Sequence, residues 1–199
     1  MVVCGLSSDQ DILKITDRIQ HDNGESVVFQ TSSHTIELIT FKQRMPLYNG
    51  RSVEDCKGWI WRITKDNADD ETLELHCSLT DCVEGLTSGS DPGEHLDSII
   101  ADNKEWMLHI GTEDGEVMHF RALNDDWMPL RFKDRLGFSE SFTHLQLNGM
   151  VTPVPELTAG ERIHFHYLTA FDKYNEIVLN TWFAVDAFKR QLENWVGVW

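Results

Sequence analysis

Little in this chain points to a known chemistry. It has no G-x-x-x-x-G-K-[ST], no G-x-G-x-x-G and no H-E-x-x-H, so the commonest phosphate, dinucleotide and metalloprotease signatures are missing. Gly137–Ser141 lacks the closing glycine of a nucleophile elbow. No apolar run approaches the ~18 residues of a membrane helix. Met1–Cys4 has no basic flank that would make it a signal peptide. There is no Asn-x-Ser/Thr sequon. The four cysteines, Cys4, Cys56, Cys77 and Cys82, form no C-x-x-C. Reduced thiols and a cytoplasmic location are therefore the expectation, with a Cys77–Cys82 bridge as the alternative.

Positive charge is also scarce. Lys and Arg number 17 against 33 Asp and Glu, a formal net charge of −16. The one short basic cluster is Arg131, Lys133 and Arg135. Direct nucleic-acid binding is excluded on that ground, because phosphate contacts need clustered cations. The acid is unevenly spread. Residues 66–116 hold fifteen carboxylates and a single base, Lys104. Such a concentration makes a negative field that attracts cations or basic partners, although acidity also serves plain solubility.

What is present reads as a mainly β chain. The length, 199 residues with 41% hydrophobic, suits a single globular domain with a core of its own. Ser8–Asp11 looks like a capping box, and Ile12, Ile15 and Ile19 follow at helical spacing. These predict an N-terminal helix over about 9–21. The period then becomes two. Strands are expected over 26–30, 35–41, 59–65, 72–79, 105–110, 116–122, 142–147, 162–171 and 177–186. The acidic run 66–71 is expected to join two of them as a solvated hairpin. Asp114-Gly115 reads as a hairpin turn, and so does 172–176. Residues 87–93 read as a loop, and Pro129 as the opening of a short helix. Asp186 is placed to cap a C-terminal helix over about 186–196, with Phe188, Leu192, Trp195 and Trp199 on one face. The architecture that follows is an antiparallel β-sandwich or partly closed barrel of eight to ten short strands, with a helix near each terminus.

Three groups of residues carry candidate functions. The acidic set Asp66, Asp69, Asp70, Glu71, Asp91, Glu94 and Asp97 suits a surface for a basic protein partner. As calcium loops these runs lack the EF-hand glycine. Trp59 and Trp61 share one strand face, as an aromatic platform or as core beneath the sheet. His164 and His166, two apart on a strand, point the same way and could share a divalent transition metal. The reading that follows is a non-enzymatic acidic interaction module, such as an inhibitor, an immunity-type protein or an assembly subunit, with no cofactor. The alternatives are a metal-dependent β-fold enzyme using His164 and His166, and a small-ligand β-barrel.

Overall fold

The computed structural model describes residues 1–10, 14–41, 50–80, 87–137, 140–175, 177 and 179–198. In chain order the strands are β1 (Val2–Ser8), β2 (Lys14–Gln20), β3 (Gly24–Gln30), β4 (His34–Phe41), β5 (Asp55–Lys65), β6 (Leu73–Leu79), β7 (Thr87–Ser90), β8 (Leu96–Asp102), β9 (Trp106–Glu113), β10 (His144–Gln146), β11 (Gly149–Pro153) and β12 (Arg162–Lys173). The helices are α1 (Gly115–Leu123), α2 (Asn180–Val185) and α3 (Lys189–Val196), with a 3-10 turn over Leu130–Arg135.

Two antiparallel sheets pack as a sandwich, and neither closes into a barrel. The smaller runs β1-β6-β11-β10 and the larger β2-β3-β4-β5-β12-β9-β8-β7. β12 lies inside the larger sheet and sorts its side chains by period two. Ile163, Phe165 and Tyr167 enter the core between the sheets, with Trp61, Leu75 and Met150. Leu168 and Ala170 enter a second core, where α2 and α3 cover the outer face through Val185, Leu192 and Val196. The molecule therefore has three layers, and β12, inside the larger sheet, is buried on both faces.

Several expected elements take other forms. The N-terminal helix is not formed: β2 occupies most of its place, residues 11–13 lying outside the described set. Ile15 and Ile19 are four apart, which fits one face of a helix, but a bulge between Ile15 and Asp17 sets them opposite Phe29 and Ser26, on different faces of the strand. β2 is an edge strand exposed along its whole length. β5 and β6 are not a hairpin; they belong to different sheets, and 66–72 crosses between them. Within the run 87–93, Thr87–Ser90 forms an edge strand on β8.

Asp114-Gly115 opens α1 instead of turning a hairpin. Asp114 Oδ1 accepts from the Val117 backbone N at 2.9 Å, which is an N-cap. Gly115 is required there because a Cβ would strike the carbonyls of Gly137 and Glu140. The expected strand 177–186 is likewise mostly helix, with Thr181, Ala184 and Val185 buried at helical spacing. Phe188, not Asp186, is the N-cap of the last helix, and Leu192 and Val196 are its buried pair. Trp199 lies outside the described residues.

The thiols also differ from expectation. Cys4 and Cys77 are directly opposite in the β1–β6 register and form a disulfide. Cys56 is buried. Cys82 is outside the described residues. Among the described residues, no helix is long and apolar enough to cross a membrane.

Candidate functional site

The crossing from β5 to β6 builds a groove of about 480 Å³ against the segment 154–159. Pro153 and Pro155 end β11 by removing backbone donors, so the chain leaves the sheet there. Leu73, Val154, Pro155 and Leu157 give the groove apolar lining. Asp69, Asp70 and Glu156 stand at its edge with exposed side chains.

One carboxylate holds the crossing in place. Glu71 has a fully enclosed side chain. Its Oε1 accepts from Ser8 Oγ at 2.8 Å. Its Oε2 accepts from Thr31 Oγ1 at 2.5 Å, Ser33 Oγ at 2.7 Å and His34 Nδ1 at 2.9 Å. The Ser33 backbone N adds a longer bond to Oε2 at 3.2 Å. Burial alone would push this carboxyl up, but the bonds from Thr31, His34, Ser33 and Ser8 overcome it and hold it down at about 2. Burial keeps His34 neutral more readily than usual, despite its bond to Glu71. Lys65 is buried beside this lattice, and its Nζ donates to Ser33 Oγ at 2.9 Å and to the Asp69 carbonyl at 2.6 Å. Arg131, next along the surface, is committed to Glu161 at 2.8 Å. The cations near the groove are thus spent on the frame, and its edge carboxylates face solvent.

The seven acidic candidates are therefore not one surface. Asp69 and Asp70 border the groove, and Asp66 accepts from Thr35 Oγ1 at 2.8 Å beside it. Glu71 is enclosed and cannot meet a partner. Asp91, Glu94 and Asp97 lie at β7 and β8, four and three strands from β5 in the larger sheet, about 14–19 Å across. Asp91 Oδ2 is bonded to His109 Nε2 at 2.9 Å. Asp97 is half-buried, and burial together with the nearby Asp114 carboxyl raises it to about 6, against a hydrogen bond from Ser141.

Trp61 is buried in the inter-sheet core and offers no platform; Trp59, on the same face, is half-buried. His164 and His166 do share a face, but it is the face under α3. His164 Nε2 and His166 Nδ1 are 3.0 Å apart, and His166 Nε2 donates to the Ala187 carbonyl at 3.0 Å. That carbonyl fixes the tautomer. His166 carries its proton on Nε2 and receives one from His164 Nε2. Three of the four ring nitrogens are spent, so the pair presents no shared metal position.

Around the two rings lies a buried charge network. Arg121 Nη1 meets Glu113 Oε2 at 2.6 Å, and Lys189 Nζ meets Glu193 Oε2 at 2.8 Å. Arg62 Nη2 meets Glu193 Oε1 at 2.7 Å. Burial first, then the surrounding cations led by Arg121, drives His164 far below its ordinary value. These residues pin α1 and α3 to the sheet. Sequence periodicity gave no sign of them, because a strand buried on both faces hides polar residues that look exposed.

No family model and no curated protein matches the chain. Among solved structures, it is similar to one described as a kojibiose phosphorylase from human microbiome, at 8% identity and a TM-score of 0.42. The match covers 87% of this chain and 19% of that one, so the chain spans about a fifth of that protein's length. A likeness that slight carries nothing about activity to this chain.

Proposed function

We propose that this chain is a non-enzymatic interaction module whose groove between residues 66–73 and 154–159 takes a lysine- or arginine-bearing segment of a basic protein. One observation carries the reading: Asp69, Asp70 and Glu156 are exposed at the edge of a groove with apolar lining. Lys and Arg side chains have the matching form, an apolar stem with a cationic head. The Glu71 lattice holds one wall before any partner arrives, which lowers the ordering cost of binding. The net charge of −16 speeds encounter with a cationic partner and repels phosphate backbones. The Cys4–Cys77 disulfide removes the ground for a reducing cytoplasmic location and suits an oxidising compartment.

The test is fluorescence anisotropy with a labelled Lys/Arg-rich peptide at low and high salt. Affinity is expected to fall as salt rises. It should also fall about tenfold in the triple variant D69N/D70N/E156Q, at roughly 0.5 kcal/mol for each edge charge. Unchanged affinity in a folded triple variant refutes the reading.

A further inference from the structure

At the corner where β9 enters α1, on a part of the molecule distinct from the groove, His95, Asp114 and Glu116 bring one ligand atom each within 4.8 Å of one another. His95 Nδ1 and Glu116 Oε2 are both shut off from solvent, and neither has a hydrogen-bond partner. Buried polar atoms are seldom left so. They stand 3.9 Å apart, too far for a hydrogen bond. At the ~2.0–2.1 Å of a metal–nitrogen or metal–oxygen bond, two tetrahedral ligands stand about 3.3–3.4 Å apart, so these two side chains must close by about half an ångström to share an ion. The third carboxyl, Asp114, is buried, and its Oδ1 accepts the helix-capping bond from Val117 N at 2.9 Å.

We propose that His95, Asp114 and Glu116 bind a divalent first-row transition ion. An imidazole with two carboxylates selects this class over calcium or magnesium, which take oxygen ligands. Further acid surrounds the trio. Asp97 is near enough to Asp114, and Asp186 to His95, for their charges to interact. The partial positive charge of the α1 N-terminus opposes a cation, but Asp114 as N-cap and Glu116 in the first turn offset it. His95 reaches the surface with a side chain 39% exposed, where it lines a cleft of about 330 Å³ with Phe188, Lys189 and Arg190.

Isothermal titration of chelator-stripped full-length protein with Zn²⁺ tests this. One equivalent should bind. His95→Ala and Glu116→Gln, both at partly exposed side chains, should each weaken binding at least about tenfold. His144→Ala, at an exposed histidine of β10, should leave affinity unchanged, and so should D69N/D70N. The absence of stoichiometric Zn²⁺ binding by the unmutated protein overturns the proposal whatever the variants do. So does undiminished binding by His95→Ala with native circular dichroism, or equal competition by Ca²⁺.

Discussion

Replacing Glu71 by Gln isolates the interaction that fixes the groove wall. The side chain keeps its shape but loses its charge, and one acceptor oxygen becomes an NH₂ group facing hydroxyl and imidazole donors. The folded carboxyl sits at about 2 against an ordinary 4.5. A difference of that size corresponds to on the order of 3 kcal/mol. Because the folded value is depressed, this stabilisation is fully present above pH 4.5 and is lost as pH falls from there towards 2. Urea unfolding followed by tryptophan fluorescence should therefore show Glu71→Gln less stable than the unmutated protein by about 2–3 kcal/mol at pH 7. At pH 3 the gap should narrow by about 2 kcal/mol, since most of the Glu71 contribution has gone from the unmutated protein as well. A variant within about 0.5 kcal/mol of the parent at pH 7, or a gap that does not change with pH, refutes the assigned role.

Other substitutions probe the remaining framework. Arg121→Ala strands the buried Glu113 carboxylate and should cost about 3–5 kcal/mol in denaturant titrations; a loss under about 1 kcal/mol contradicts that pairing. Trp61→Ala should cost about 3–5 kcal/mol, and an unaltered midpoint would return Trp61 to the surface. Thiol titration in denaturant without reductant should find two fewer reactive groups than after reduction, because Cys4 and Cys77 are joined. Equal counts deny the bridge.

The β character, most strand positions and the sandwich were legible in the alternation of apolar residues. Where the reading missed, local signals had two meanings. Asp-Gly serves a hairpin turn and a helix start equally well, and only the nearby carbonyls of Gly137 and Glu140 explain this glycine. Ile15 and Ile19 fit a helix, and β2 takes them only across a bulge that no residue pattern marks. Which strands share a sheet was not legible at all: 59–65 and 72–79 are consecutive strands, yet they face each other across the core. At the site, Asp69 and Asp70 were found by charge alone. Nothing in spacing marked Glu71 as buried, because its partners Ser8, Thr31, Ser33 and His34 come from other segments. Glu156 was not singled out, since it lies in a proline-flanked run far along the chain. Nothing in the spacing joins His95 to Asp114 and Glu116, because Asp114-Gly115 reads as a hairpin turn and not as the start of α1.

The most direct test of the interaction reading is a backbone amide chemical-shift map of the protein titrated with a Lys/Arg-rich peptide at low salt. Shifts should concentrate in residues 68–73 and 154–159 and fade as salt is added. Shifts centred elsewhere, for instance on α1 and β8, or no saturable shifts at all, contradict the account.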